Sequence, residues 1–259
     1  MSPPTSKLAS PGNPPVVVIT GGAGGIGLAT AKRYAREGYR VALVDLPGPV
    51  LDEARASLNA METECLSIGA DVSDHEAALK HGSALLAQWG HIDVLVNNAA
   101  MSQTKMLMDL SEAEWDRTID VNLKGYFNWC KAVAPSMLGN GYGRIINVSS
   151  VSANTGAGPN AASKGAYVTA KAGILGLTRA LARELAPRVQ VNAVCPGAID
   201  TQMTQAHFSL RRDAIEAGIP LRRLGTPADI AEVIYFLGSS QPCYLTGEII
   251  DVDGGQWIN

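Results

Sequence analysis

The sequence predicts a single α/β domain built on one parallel sheet with helices on both faces. Short Val/Ile-rich runs alternate with amphipathic stretches almost from end to end, which implies crossover connections between parallel strands. Most of these runs show little polar alternation, as strands covered on both faces require. A glycine-dense turn also separates the first run from the first helix.

Seven strands are expected, over residues 16–20, 40–45, 64–69, 92–97, 143–149, 189–194 and 248–252. Between them, Ser73-x-x-Glu76 and Ser111-x-x-Glu114 read as capping boxes that open helices. Thr226-Pro227-Ala228-Asp229 sets a cap, an N1 proline and a first-turn acid in order. Tyr167 begins a long helix running to about residue 186. The expected architecture is therefore a doubly wound, Rossmann-type sheet of seven strands. Residues 1–14, rich in Pro and Ser, form a flexible arm, and 15–259 form the domain, with a substrate lid around 202–224.

Composition removes several function classes. Hydrophobic content of 46% with 17% charged residues excludes wholesale disorder. With 24 acidic against 21 basic residues, the net charge of −3 offers nothing to hold a phosphate backbone, so no nucleic-acid partner is expected. The apolar runs are too short to span a bilayer, so no membrane partner is expected either. Cys65, Cys130, Cys195 and Cys243 are widely spaced with no adjacent His, which fits a reducing compartment and no metal site. The N-terminus has neither the apolar core of a signal peptide nor the arginines of a transit peptide, so the cytoplasm is expected.

The string Thr20-Gly21-Gly22-Ala23-Gly24-Gly25-Ile26-Gly27 carries the first chemistry. Residues without Cβ let backbone approach a pyrophosphate, and the helix N-terminus behind them offers N–H donors and partial positive charge. The string fits both Gly22-x-Gly24-x-x-Gly27, the dinucleotide fingerprint, and the wider Gly21-x-x-x-Gly25-x-Gly27. Asp45 ends the second strand about twenty residues on, where an acid accepts hydrogen bonds from an adenosine ribose. No Arg or Lys stands in the glycine turn or in Leu46-Pro47-Gly48-Pro49, so NAD(H) is favoured over NADP(H).

Tyr167 and Lys171, four apart, share one helical face. A free phenol near pH 10 is no base at neutrality, and lowering it by about three units takes about 4 kcal/mol. An adjacent ammonium and the positive ring of an oxidised nicotinamide would both favour the phenolate.

With these pieces in order the chain resembles the short-chain dehydrogenase/reductase family, in the soluble Tyr-x-x-x-Lys branch whose chains are about this long. The other matching pieces are Asp71-Val72, Asn97-Asn98-Ala99, Asn122, Ser149-Ser150, Pro196-Gly197 with Thr201, and Asp253-Gly254-Gly255. The resemblance implies an NAD-dependent oxidoreductase that interconverts a secondary alcohol and a ketone by hydride transfer. It makes Tyr167 the general acid/base, with Lys171 lowering its pKa and binding the nicotinamide ribose. Ser150 would hold the substrate oxygen, and Asn122 would link Lys171 to solvent through a water. Gly21, Gly24, Gly25, Ile26 and Gly27 would cradle the pyrophosphate, Asp71 and Val72 would meet the adenine, and Asn98 would steady the sheet centre. Ile199 and Thr201, after Pro196-Gly197, would hold the carboxamide and pyrophosphate.

A homotetramer is expected from the same resemblance, through the Tyr167 helix and the last strand. The small-residue face Ala170, Gly173 and Leu177 adds modest support. The alternative reading is a catalytically silent NAD-binding sensor or structural protein on the same fold. Two departures stand out. Asn97-Asn98-Ala99-Ala100 ends in Ala where the family has Gly, and the interval from Ser150 to Tyr167 is longer than the family's. The stretch 160–165 resembles a second Tyr-x-x-Ser-Lys box but holds Asn160 in the tyrosine place, which cannot titrate. Ser149, Ser152 and Asn154 stay open as rivals to Ser150, and the arginines of 202–224 as anion-binding groups.

Overall fold

The computed structural model describes residues 13–156, 163–208, 211–241 and 243–258. Most of the expected arm, and residues 157–162 within the long Ser150–Tyr167 interval, therefore lie outside the described residues.

The elements are β1 (Val16–Thr20), α1 (Gly25–Ala35), β2 (Arg40–Asp45), α2 (Pro49–Asn59), β3 (Cys65–Gly69), α3 (His75–Trp89) and β4 (Val94–Asn97). They continue with α4 (Glu112–Ile119), α5 (Gly125–Asn140), β5 (Gly143–Val148), α6 (Ser152–Thr155), α7 (Gly165–Glu184) and β6 (Val189–Pro196). The chain then forms α8 (Gln202–Phe208), α9 (Arg212–Gly218), α10 (Pro227–Ser239) and β7 (Ile249–Val252). All seven strands are parallel, in the order β3-β2-β1-β4-β5-β6-β7. The expected doubly wound sheet is what forms, with strand ends moved by one or two residues.

Successive strand residues feed opposite faces, and both faces are buried. Val17, Ile19, Val41 and Leu43 pack with Tyr34 of α1, Leu58 of α2 and Ile234 of α10. Their neighbours Val16, Val18, Ala42 and Val44 pack on the other side with Leu85 of α3, and with Trp129 and Met137 of α5. Order reverses between β1 and β4, so their C-terminal ends open a crevice at the switch point, where ligands of such sheets bind.

Two of the expected caps form as read. Ser111 and Glu114 bond reciprocally at α4, and Thr226 and Asp229 do the same at α10. The Ser73 box does not form. Asp74 caps α3 by accepting from the Ala77 N–H, while the Ser73 hydroxyl donates to Asp71 Oδ1 at 2.7 Å. A carboxylate two residues back is the stronger acceptor, and it turns Ser73 away from the helix. α7 begins at Gly165, two residues before Tyr167.

Candidate active site

Thr20 ends β1 and staples the glycine turn to β4. Its hydroxyl accepts from the Asn98 and Ala99 N–H groups at 3.0 and 3.2 Å. The Asn98 amide in turn donates to the Thr20 and Gly21 carbonyls at 3.1 and 2.9 Å. Gly21 has φ of 62°, and a Cβ there would lie 2.7 Å from Ala99 Cα. A Cβ on Gly27 would collide with the Gly21 carbonyl, so a side chain at either position forces the turn open. Gly24, by contrast, faces open space. The turn thus brings bare backbone and the start of α1, whose first N–H groups have no partner within the helix, to one wall of a cleft.

That cleft measures about 810 Å³, within the range of ligand sites. Gly21, Gly24, Gly25, Ile26, Asp45, Asp71, Val72, Asn98, Ser150, Tyr167, Lys171, Pro196, Gly197, Ile199 and Thr201 all line it. Gly27 and Asn122 lie behind the wall. Asp45 sits at one end, its carboxylate accepting from the Ala23 N–H at 2.9 Å and the Leu46 N–H at 2.8 Å. Among the described lining residues the cations are Lys171 and Arg117. Arg117 donates to Asp71 Oδ2 and to the Ser73 hydroxyl, both at 2.7 Å. Burial pushes the Asp71 carboxyl up, but the bonds from Arg117 and Ser73 outweigh it and hold the group below its ordinary value.

Ser150 and Tyr167 line the same cleft, so the long interval between them does not separate them. Just before α7 the interval is tied down: the Ser102 and Ser163 hydroxyls lie 2.9 Å apart, and the Lys164 N–H donates to the Gln103 carbonyl. Lys171 lies beneath the Tyr167 ring, its Nζ 5.7 Å from the centroid. It makes no bond to the phenol. Its ammonium donates instead to the Val148 carbonyl at 2.7 Å and the Tyr126 hydroxyl at 3.1 Å. Tyr126 itself donates to Val148 O at 2.8 Å.

The electrostatics depart from expectation. Burial pushes Tyr167 up to about 12, opposed by the Ser150 hydrogen bond, and pushes Lys171 down to about 7. Desolvation disfavours both charged forms. Lys171 alone therefore does not deliver a low-pKa phenol in the ligand-free protein.

Asn122 lies in a π-turn over Asp120–Lys124 that joins α4 to α5. Its amide accepts from the Met101 N–H at 3.0 Å and donates to the Met101 and Thr118 carbonyls at 3.1 and 3.0 Å. The side chain thus fixes the β4 loop at the cleft wall. Beneath the site, the Asn97 amide donates to Asn147, and the Asn147 amide to Thr178, locking β4, β5 and α7 together. Tyr126 and Arg117 belong to no motif read from the sequence. The only sequence signal for Tyr126 is its place four residues after Asn122, a spacing that the π-turn alters.

Comparison with known proteins supports the same reading. Residues 21–256 match the family described as enoyl-(acyl carrier protein) reductase. The 3-oxoacyl-[acyl-carrier-protein] reductase FabG of Staphylococcus epidermidis is 41% identical over 93% of this chain and 98% of its own. That of Thermotoga maritima is 39% identical over 93% and 96%. A crystal structure of a short-chain dehydrogenase/reductase, glucose/ribitol dehydrogenase, from Brucella melitensis superposes with a TM-score of 0.87. It is 38% identical and covers 95% of this chain and 97% of that one. The chain belongs to the short-chain dehydrogenase/reductase family.

Members of this oxidoreductase family bind a nicotinamide dinucleotide, and the cleft fits one. Gly24 faces open space beside the α1 N-terminus, where a pyrophosphate would have room, and Asp45 lines the same cleft. Ser150, after β5, and Tyr167, on α7, both line it.

Proposed function

We propose that the protein interconverts a secondary alcohol and a ketone with NAD(H), with Tyr167 exchanging the proton. The observation that carries this reading is one cleft with Ser150, Tyr167 and Lys171 at one end and Asp45 at the other. When bound, the cofactor accepts or delivers the hydride and, in its oxidised form, brings a positive ring. Tyr167 and Ser150 both address the substrate oxygen, Tyr167 moving a proton and Ser150 donating a hydrogen bond. Lys171, held by Val148 and Tyr126, supplies an N–H donor beneath the phenol. Asp71, Val72, Ile199 and Thr201 are the proposed walls for the rest of the dinucleotide.

An uncharged substrate fits best. Arg212 is paired with Asp200 and Glu216, Arg223 with Asp229, and Arg222 donates to the Ala217 carbonyl. Arg212 and Arg223 of the proposed lid are therefore paired with acids of the chain, and no arginine of 211–223 is among the described residues lining the cleft. The related proteins are named for an enoyl, a 3-oxoacyl and a sugar or polyol substrate, so their names point to no single compound. The test is a panel of polyols, sugars, simple secondary alcohols and 3-oxoacyl thioesters with each cofactor, followed by nicotinamide absorbance. Turnover of a neutral alcohol–ketone pair with NAD(H) is expected. A protein that binds NAD yet turns over none of them would be the silent alternative.

The reading extends to a cytoplasmic homotetramer. Cys65, Cys130, Cys195 and Cys243 are free thiols, and no described helix is long and apolar enough to cross a membrane. β7 is an edge strand paired only with β6 and half-buried along its length. The small-residue face of α7 contributes less than expected, because Ala170 is buried and a Cβ on Gly173 would meet Leu123 of the same chain. Light scattering at micromolar concentration should give four times the chain mass, and a monomer would overturn the assembly.

A further inference from the structure

Ser152 stands two residues past Ser150 and does not line the cleft, whereas Ser150 does. Its backbone N–H and its hydroxyl both point back at Ser150 Oγ, at 3.2 and 2.9 Å. A serine hydroxyl has one proton to donate and two lone pairs to accept with. Two donors from Ser152 fill both lone pairs, so the Ser150 proton is left to point elsewhere, and the cleft that Ser150 lines is also lined by Tyr167. The Ser152 hydroxyl has no duty to its own helix. Val151 is the N-cap residue of α6, and no side chain caps that helix.

We propose that Ser152 is a positioning residue that commits Ser150 to act as a donor, toward Tyr167 in the free enzyme and toward the substrate oxygen in the complex. It builds a one-way chain of hydrogen bonds, Ser152 to Ser150 to the phenol oxygen, in which each donor is polarised by the one behind it. Without the Ser152 hydroxyl, Ser150 could turn and accept from a substrate hydroxyl or from the phenol. That orientation stabilises neither the phenolate nor the developing alkoxide. The role rests on the proposed reading, because it acts through Ser150 and Tyr167.

The groups that bear on the phenol come from four elements. They are Ser150 after β5, Lys171 on α7, Cys195 on β6 and Tyr126 on α5. Of these, Ser150 is the hydrogen-bond donor that draws the phenol down, so loosening it raises the phenol. The sign is fixed: with Ser152→Ala, the rise of alcohol oxidation with pH moves to higher pH.

The experiment compares Ser152→Ala, Ser152→Thr and wild type by steady-state kinetics across pH, with NAD binding measured separately. One neutral hydrogen bond is worth about twofold to tenfold, so kcat of Ser152→Ala should fall within that range and its pH limb should rise by about half a unit or more. NAD affinity and the KM of the alcohol should hold. Ser152→Thr, which keeps the hydroxyl, should restore both kcat and the pH limb. A second readout needs no substrate: in protein labelled with 13Cζ-tyrosine, the Tyr167 resonance, assigned by its absence in Tyr167→Phe, should shift in Ser152→Ala and return in Ser152→Thr. If the panel finds no oxidisable alcohol, the functional reading fails while this resonance still judges the hydrogen-bond chain. A Ser152→Ala protein with wild-type kcat, pH limb and Tyr167 resonance would overturn the proposal. So would a folded Ser152→Thr that restores none of them.

Discussion

Tyr167→Phe should bind NAD almost as wild type does and lose at least about a hundredfold in turnover, since positioned acid–base groups contribute 10²–10⁴-fold. The phenyl ring keeps its place over Lys171, so the loss isolates the proton-transfer atom rather than the packing. The pH behaviour has a defined sign. Oxidation needs the phenolate and climbs with pH, whereas reduction needs the phenol and falls over the same range. In the ligand-free cleft burial pushes Tyr167 up to about 12 and Lys171 down to about 7. Between those values the lysine is mostly neutral while the phenol keeps its proton, so the chain alone does not hold a phenolate beside an ammonium. The ascending limb of oxidation should therefore lie well below 12 only in cofactor-saturated enzyme, and Tyr167→Phe should lack it. A variant that keeps more than a tenth of wild-type turnover would show that another group moves the proton.

The sheet was legible because its strands are buried on both faces. Val16–Thr20 and Arg40–Asp45 are built on the unbroken apolar runs 16–19 and 41–44, and their observed limits are those read from the sequence. The glycine turn was legible because each tight position excludes a Cβ for a local reason, as at Gly21 and Gly27. What was not legible is tertiary competition for polar side chains. Ser73 had the spacing of a cap but was drawn to Asp71, which Arg117 from a distant helix also holds. Asn122 was read as linking Lys171 to solvent through a water, and what the spacing did not show is that its amide also bonds the Met101 backbone and the Thr118 carbonyl from within a π-turn. Tyr126 carried no motif at all. Its place on Lys171 follows from the packing of α5 on β5 and of the preceding π-turn on α7, which no local spacing encodes.

NAD should exceed NADP by at least tenfold in catalytic efficiency, and the reason is Asp45. Backbone N–H groups of Ala23 and Leu46 hold both carboxylate oxygens, fixing the group at the cleft wall while each oxygen keeps a lone pair for a ribose hydroxyl. A 2′-phosphate in that place would set a dianion against an anion. At about 4 Å each like-charge pair costs about 1 kcal/mol in water and about 4 at the screening typical near a protein surface, and about 1.4 already amounts to tenfold. The cation nearest in kind, Arg117, is already bound to Asp71 and Ser73, so relief from it would require breaking those bonds. Asp45→Ala should shrink the preference from both sides, weakening NAD and removing the repulsion. It also frees the Ala23 and Leu46 N–H groups, so the ratio of efficiencies is the quantity to compare. Asp45→Arg replaces repulsion with a planar donor suited to phosphate and should invert the ratio. Equal use of both cofactors by the wild type would mean that the Asp45 carboxylate turns away from the ribose in the complex. The preference for NAD would then have no physical basis in this cleft.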